Sequence, residues 1–234
     1  MQPEDSQPVK VLILFYSFSA QTSGLVHHLG AGLEAQGVYQ VCERLTPLVP
    51  RHFPIGTVPA TLLMMLTTLL RRRIPVQPLP PICWQHYDLI ILAGPTWSYN
   101  PSGPVLSLLD RDGARLFVGR QVLPLISCRG YWRIHWLGLR FQLRRLGATV
   151  VNKMIFTHPC KEPWRTIGVF LKLAGRVPER SRWLARYYPR YGHSREQQEE
   201  AFAFGQAIGQ ALRQGTSLAE LSFASGRRPR AGGA

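Results

Sequence analysis

Apolar residues are concentrated in four runs of strand length along the chain. Their apolar character is continuous rather than alternating, which is typical of strands covered on both faces, as in a parallel sheet. The runs are KVLILFY (10–16), YDLIILAG (87–94), QVLPLISC (121–128) and ATVVNKMIF (148–156). A weaker run, YQVCERL (39–45), alternates between apolar and polar residues, so it is predicted to be an edge strand.

Between these runs, apolar residues recur at helical spacing and form stripes on otherwise polar segments. The stripes lie in residues 21–36, 133–147 and 194–213. Ser194 precedes the last stripe and Gln197 follows three residues later, which is the capping-box arrangement of a helix start. The alternation of strands with helices predicts an α/β fold with a doubly wound sheet.

Two connecting segments are longer than such a fold requires. Residues 46–86 contain an uncharged run from His52 to Leu70, and residues 157–193 mix arginines with tryptophans and tyrosines. We therefore predict an N-terminal extension (1–9), one domain (10–214) with insertions at about 46–86 and 157–193, and a disordered tail (215–234).

The uncharged run has two interpretations. Prolines and a glycine break its first part, which leaves an apolar stretch from Ala60 to Leu70 that is too short to span a bilayer. Its position between the second and third strands favours a crossover helix packed on the sheet. Alternatively, residues 54–73 cover an apolar substrate path or lie at an anionic membrane surface, with the arginines at 71–73 near the headgroups.

The loop after the first strand runs directly into a helix and is rich in hydroxyl groups: Ser17-Phe18-Ser19-Ala20-Gln21-Thr22-Ser23. Unsatisfied N–H groups and the helix dipole at such a helix start favour a phosphate dianion. No lysine or arginine lies between Lys10 and Arg44, so the sequence predicts that neutral donors hold the phosphate. The alternative is an ordinary cap and turn.

Two further loops follow predicted parallel strands and combine glycine with aromatic residues. They are Gly94-Pro95-Thr96-Trp97-Ser98-Tyr99-Asn100-Pro101 and Ser127-Cys128-Arg129-Gly130-Tyr131-Trp132. Glycine lets the backbone approach a flat ligand, and Trp97 or Tyr99 offers a ring for stacking. Because ligands of open α/β sheets bind at the carboxyl ends of the strands, we expect the three loops to form one site.

At these positions the chain resembles the flavodoxin-like superfamily. Residues 13–22 are similar to its strand and phosphate-loop signature, and GPTW (94–97) is similar to its flavin-ring loop. The resemblance implies a five-stranded parallel sheet of order 2-1-3-4-5 with helical insertions, and flavin mononucleotide (FMN) as the cofactor. The implied cofactor-binding residues are Ser17, Ser19, Ala20, Gln21 and Thr22 for the phosphate, Pro95, Thr96, Trp97, Ser98 and Tyr99 for the ring, and Ser127, Cys128, Arg129, Gly130 and Tyr131 for its far side.

The chain departs from the small electron carriers of that superfamily, which are acidic and lack the two insertions. It resembles more closely the NAD(P)H:quinone and FMN-dependent reductases, which would pass electrons from NAD(P)H to a quinone-like or aromatic apolar acceptor. The three loops contain no carboxylate or lysine as an acid or base, so Tyr99, Tyr131 or water would supply protons, with Arg129 beside an anionic group. The alternative function is an accessory or interaction protein with little flavin chemistry, resembling dialkylresorcinol-condensing-type proteins of aromatic-lipid biosynthesis.

The net charge of +15 points to anionic partners. Between Arg111 and Arg190 the chain has 17 basic and only three acidic residues. No zinc-finger spacing, basic-zipper heptad or RNP-like strand accompanies the charge, which disfavours nucleic acid. A membrane surface, an acidic protein and a phosphorylated small molecule remain open, as does a merely solvated arginine-rich surface.

The cysteines predict a reducing compartment. They form no CxxC pair and no metal-ligand spacing, and the N-terminal residues MQPEDSQPVK lack a signal-peptide pattern. We therefore expect a cytoplasmic protein without a metal site, with peripheral contact at the inner face of the membrane as the extension of the surface interpretation above.

Overall fold

The computed structural model of the protein describes residues 8–223. Its strands are β1 (Lys10–Phe15), β2 (Tyr39–Arg44), β3 (Leu89–Trp97), β4 (Asn100–Pro101), β5 (Gln121–Cys128), β6 (Thr149–Val150) and β7 (Met154–Thr157). Its α-helices are α1 (Gln21–Glu34), α2 (Val58–Leu69), α3 (Gly103–Arg111), α4 (Gly113–Phe117), α5 (Trp132–Arg145), α6 (Trp164–Leu173) and α7 (Arg195–Gln214).

The sheet has five parallel positions in the order β2-β1-β3-β5-β6, with β7 continuing the fifth position alongside the end of β5. The predicted order 2-1-3-4-5 is confirmed. The predicted fifth strand (148–156) is divided around Asn152, whose side-chain amide donates hydrogen bonds to the carbonyls of Leu218 and Leu221. The two-residue strand β4 pairs antiparallel with the end of β3.

Two helical layers cover the sheet. On one face, α1 and α7 bury the leucines of the first predicted stripe together with Phe204 and Ile208. On the other face, α3 and α5 bury Leu108, Leu139 and Leu143. The helix α7 begins at the predicted capping box, in which Ser194 and Gln197 bond reciprocally.

Close contact between α1 and α7 depends on glycine. A Cβ atom added to Gly205 would lie 2.1 Å from the backbone carbonyl oxygen of Leu29, and one added to Gly32 would lie 2.1 Å from that of Phe202. No side chain fits at either position without separating the helices, so these glycines set the distance between the two helix axes.

The helix α2 is not a crossover helix packed on the sheet, and that expectation is wrong. Its buried residues are Thr61 and Thr68, whereas its leucines point mostly to solvent. Other helices already cover both sheet faces, so α2 lies over the carboxyl edge of the sheet instead. Within residues 8–223, no helix has the length and apolarity that crossing a bilayer requires.

The second insertion folds back over the same edge. It contains α6 and two short 3-10 turns, Pro178–Arg180 and Leu184–Arg186. Tyr188 anchors it, because its fully buried ring stacks on His158 with a centroid distance of 5.2 Å and packs against Gly168.

The predicted disordered tail needs correction in its first part. Residues 215–223 continue as packed structure, since Leu218 and Phe223 are buried in the core. Their burial adds to the bonds from Asn152 that hold this segment. The remainder of that prediction, residues 224–234, lies outside the described residues, as do residues 1–7 of the predicted N-terminal extension.

Candidate functional site

A cavity of about 360 Å³ opens at the carboxyl edge of the sheet. The three strand-end loops form its floor, and the two insertions form its remaining walls through α2, α6 and Tyr191. Its size falls in the range of pockets that take small molecules and cofactors.

The loop after β1 presents an open helix start to this cavity. Ala20, the residue before α1, has a left-handed backbone with φ of 61°, and its own side chain offers no cap to the helix. The Ser17 hydroxyl oxygen accepts a hydrogen bond from the Ser23 N–H at 3.2 Å, which fixes the curve of the loop. Gln21 and Thr22 line the cavity at the first turn of the helix.

Two distant residues complete this loop. Arg44 at the end of β2 donates from its guanidinium to the carbonyl of Ser17 at 3.1 Å. A cation therefore contacts this loop, for which the sequence predicted neutral donors only. Tyr191 of the second insertion lies beside the side chains of Ser19 and Gln21, and these contacts lower the pKa of its hydroxyl while burial, the larger influence, raises it. The phenol therefore stays protonated and is a further hydrogen-bond donor at the loop after β1.

The second loop is a tight hairpin between β3 and β4. Ser98 and Tyr99 both have positive φ, at 42° and 70°, which is the geometry of a two-residue turn between antiparallel strands. Asn100 donates from its amide to the carbonyls of Thr68 and Leu69, and Ser98 donates to the carbonyl of Met65 at 3.0 Å. The hairpin is thereby fastened to the last turn of α2.

The aromatic residues of the site divide into a packed group and an open pair. Trp97 is only 9% exposed and meets Tyr16 and Phe18 edge to face, with centroids 5.5 and 5.7 Å away. Tyr99 and Tyr131 are 41% and 45% exposed, and their centroids lie 5.5 Å apart. Trp97 thus forms part of the cavity wall, while the two tyrosines offer open ring surface at its mouth.

The third loop starts a chain of buried hydrogen bonds. The Ser127 hydroxyl lies 2.8 Å from Nε2 of His193, and Nδ1 of His193 lies 3.1 Å from Oε1 of Gln197. Gln197 donates from its amide nitrogen to the Thr157 carbonyl at 2.7 Å, so its oxygen faces the histidine and accepts from Nδ1–H. This assignment leaves Nε2 free to accept the Ser127 proton. Burial lowers the pKa of His193 to about 4, so the ring is neutral near pH 7.

Two other titratable side chains near the cavity, Cys128 and His135, are uncharged near pH 7. Burial raises the pKa of the Cys128 thiol to about 12, which keeps it protonated and a poor nucleophile. His135 of α5 bonds the Thr96 hydroxyl at 2.7 Å, and burial lowers its pKa to about 3. Both therefore contribute shape and hydrogen bonding rather than charge.

The fold is shared with solved structures. A candidate flavoprotein from Bacteroides eggerthii DSM 20697 superposes with a TM-score of 0.50 at 13% identity, covering 72% of this chain and 99% of the other. Together with the strand order β2-β1-β3-β5-β6, which corresponds to the flavodoxin order 2-1-3-4-5, this superposition decides the fold. The chain has the flavodoxin-like fold.

Further solved structures share lower similarity with this flavodoxin-like chain. A flavodoxin from the domain Archaea has a TM-score of 0.48 at 12% identity over 88% of this chain and 99% of its own. A flavoprotein in complex with FMN from Lactobacillus acidophilus NCFM has a TM-score of 0.49 at 17% identity over 63% and 93%. No family model and no curated protein matches the chain.

Most of the residues expected from the flavodoxin-like resemblance lie together at the cavity. Those lining it are Ser19, Gln21, Thr22, Pro95, Thr96, Trp97, Ser98, Tyr99, Ser127, Cys128, Arg129 and Tyr131. The side chains of Ser17, Ala20 and Gly130 do not line it. Ser17 and Ala20 instead shape the loop after β1, and Gly130 lies against the guanidinium of Arg165 with a φ of 156°.

Sequence reasoning predicted the upper walls of the site only in part. The position of α2 agrees with the alternative interpretation of residues 54–73 as a cover over an apolar path, whereas no residue of the second insertion was expected in the site. The wall residues include Met64, Met65, Leu66, Thr68 and Leu69 from α2, Val169, Phe170 and Leu173 from α6, and His158 and Tyr191. The aromatic residues of 157–193 were the available signal, since a basic surface segment rarely needs so many rings.

The donors present fit an anionic ligand that carries a flat ring. Among the described residues, the cavity lining includes no aspartate or glutamate, and Arg129 is its one permanently charged side chain. Hydroxyl groups and the start of α1 lie at one side, and apolar and aromatic side chains form most of the rest. A phosphate and an aromatic ring system match this division.

Proposed function

We propose that the protein binds FMN in this cavity and acts as an oxidoreductase that passes electrons from NAD(P)H to an apolar, quinone-like acceptor. The observation that supports it most is the start of α1, whose N-cap residue Ala20 offers no side-chain cap and which faces a cavity walled by aromatic rings at the switch point between β1 and β3.

The phosphate would be held at the loop after β1. Thr22 and Ser19 supply hydroxyl donors, the first turn of α1 supplies backbone N–H groups, and Tyr191 closes the loop from above. Arg44, bonded to the Ser17 carbonyl, adds a positive charge behind the loop without occupying it. A dianion suits this environment because the donors and the helix dipole point at the same place.

The ring would lie between the hairpin and the third loop. Pro95 and Trp97 provide a rigid wall, and the open tyrosines Tyr99 and Tyr131 provide surfaces for a stacked ring. Methionine and leucine side chains of α2 line the opposite side, which favours an apolar acceptor. Arg129, whose guanidinium lies 5.7 Å from the ring centroid of Tyr131, is placed to contact an anionic group of the nicotinamide donor.

Bound FMN would supply hydride and electron transfer, and this chain would position the groups around it. Ser127 donates a hydrogen bond to Nε2 of the neutral His193, and Gln197 holds the ring in the tautomer that accepts it. Burial keeps the ring neutral, so the Ser127 hydrogen stays directed at His193 and the Ser127 oxygen would accept a hydrogen bond from a ligand in the cavity. Proton supply would remain with Tyr99, Tyr131 or water.

The proposal is tested by comparing FMN with riboflavin. Calorimetric titration of flavin-free protein should give tighter binding for FMN, because riboflavin lacks the phosphate. Thr22→Val removes one hydroxyl at nearly constant volume and should weaken FMN binding roughly 10- to 150-fold, as expected for a hydrogen bond to a charged group. Riboflavin affinity should stay unchanged, as should both affinities in Thr149→Val, a matched change at the amino end of the sheet.

Equal affinity for the two flavins would remove the phosphate from the proposal. A colourless protein that binds neither flavin would favour the accessory or interaction role instead. For a flavin-binding protein, anaerobic oxidation of NADH or NADPH, followed at the flavin absorbance band with an apolar quinone added second, tests the electron-transfer step.

A further inference from the structure

Long apolar side chains are exposed along α2, beside the cavity mouth. They are Leu62, Leu63, Leu66, Leu69 and Leu70, each more than half exposed. A soluble helix normally buries such residues against the core. A contiguous exposed apolar patch of this kind marks an interaction site, because burying it against a partner removes aliphatic surface from water.

The helix α5 carries a second exposed row. Ile134, Leu137 and Phe141 follow helical spacing, and each is at least 60% exposed. Gly138 lies on the same stripe, and the guanidinium of Arg71 lies 3.7 Å from the position of its missing Cβ. The end of α2 thus reaches the apolar stripe of α5. We call the exposed apolar residues of α2 and α5 together the mouth surface.

Basic residues border the mouth surface, and acidic ones are absent from both of its helices. Arg72 follows α2, and Arg133, Arg144 and Arg145 project from α5 as exposed side chains, whereas Arg73 pairs with Asp110 of α3 at 2.7 Å. A second copy of this chain is a poor partner, since two molecules of net charge +15 would bring arginine borders together.

We infer that the mouth surface docks on an anionic lipid bilayer. Leucine, isoleucine and phenylalanine side chains enter the interface, and the surrounding arginines contact lipid phosphates. Lipid is favoured over an acidic protein because the apolar residues come from two helices and are long, mobile aliphatic chains beside guanidinium groups, the composition of interfacial helices. Docking opens the cavity toward the apolar phase. This inference does not depend on flavin binding.

Vesicle sedimentation with the full chain tests the inference. The protein should pellet with phosphatidylcholine vesicles containing phosphatidylglycerol and remain in solution with phosphatidylcholine alone. Binding should weaken at high salt, because surface charges are screened. Arg72→Gln/Arg144→Gln should lower the partition coefficient roughly 30-fold, at roughly fivefold for each arginine near an anionic surface.

The charge control removes two arginines at the opposite, amino end of the sheet. Arg120 precedes β5 and Arg213 lies at the end of α7, so Arg120→Gln/Arg213→Gln changes the net charge equally but should change partition little. If the two double variants lose binding equally, general charge attraction explains the binding and the mouth surface has no part in it.

An apolar variant tests insertion separately from charge. Leu62→Gln/Leu63→Gln/Leu137→Gln changes exposed residues that do not line the cavity, so flavin affinity and folding should be retained. Its partition should fall at least tenfold, while Val118→Gln at the amino end of the sheet should match wild type. Absence of wild-type binding at low salt would overturn the inference. So would a concentration-dependent dimer that the leucine variant abolishes, since that result assigns the mouth surface to a second copy.

Discussion

The helices α1 and α2 are both apolar, yet they have opposite environments. Leu25, Leu29 and Leu33 of α1 are fully buried against the sheet and α7, whereas leucines of α2 such as Leu62 and Leu66 are more than half exposed. Apolar content therefore does not decide which helix joins the core. The connection does: α1 follows β1 through a short loop onto an open sheet face, and α2 follows a long irregular segment.

A different class of interaction places α2. Its last turn is fixed by hydrogen bonds from Asn100 and Ser98 to backbone carbonyls, not by burial of its leucines. Polar contacts of this kind set a position while leaving the apolar side available. The comparison teaches that the leucines of α1 stabilise the fold, whereas those of α2 form exposed apolar surface. Three perturbations test this difference.

The largest difference in unfolding free energy should come from truncating one leucine on α1 and one on α2. Leu29→Ala removes a fully buried side chain and should lower the free energy of unfolding by about 2–5 kcal/mol, because it leaves a cavity in close-packed core. Leu63→Ala on α2 should change it by less than about 0.5 kcal/mol. Urea unfolding followed by circular dichroism measures both. Equal losses would mean that α2 belongs to the core after all.

A smaller difference in unfolding free energy is expected between two glycine-to-alanine variants. Gly205→Ala places a methyl group against the Leu29 carbonyl, a backbone atom that cannot rotate away, so unfolding free energy should fall by about 3 kcal/mol. Gly24→Ala, whose added carbon would meet only the Gln198 side chain at 3.5 Å, should raise it by about 0.4–1 kcal/mol through lost chain entropy. Melting temperatures that shift in the same direction would contradict the proposed close contact.

The smallest expected effect is a loss of unfolding free energy at acid pH, caused by a histidine on the side of the sheet next to α2. His135 is buried, and its pKa falls to about 3, below the ordinary value of 6.5. The unfolded chain therefore binds a proton that the folded chain excludes, and stability is lost as pH falls from about 6.5 toward 3, by about 1.4 kcal/mol per pH unit.

The variant His135→Gln isolates that titration while keeping a polar partner for Thr96. Between pH 7 and pH 5, its loss of unfolding free energy should be smaller than that of wild type by roughly 2 kcal/mol. Urea unfolding at the two pH values gives the difference. Parallel losses in the two proteins would place the acid sensitivity elsewhere, for example at His193.

The fold was predictable where the apolar pattern of a segment matches the burial of that segment in the structure. The continuous apolar runs of β1, β3 and β5 predict strands buried on both faces, and Ser194 with Gln197 predicts the start of α7. The break between β6 and β7 was not predictable, because Asn152 is satisfied by carbonyls almost 70 residues away. An asparagine in a strand pattern gives no local sign of such a partner.

The candidate site follows the same rule. The three loops were predicted to converge because parallel strands bring their carboxyl ends to one edge, and that argument needs no side-chain detail. Tyr191 and His193 were missed as site residues because they reach Ser19 and Ser127 only through the folded second insertion. Their roles depend on the path of a long loop, which apolar periodicity does not encode.

The attachment of α2 to the β3–β4 hairpin has a consequence for communication across the molecule. Because Asn100 joins the turn bearing Tyr99 to the last carbonyls of α2, we expect the two to move as one body. A molecule in the cavity that favours one position of this body and an outer partner that favours the same position must strengthen each other's binding by the same factor. Four side-chain hydrogen bonds between this hairpin and α2 would thus couple occupancy of the cavity to binding of a partner at the outer face of α2.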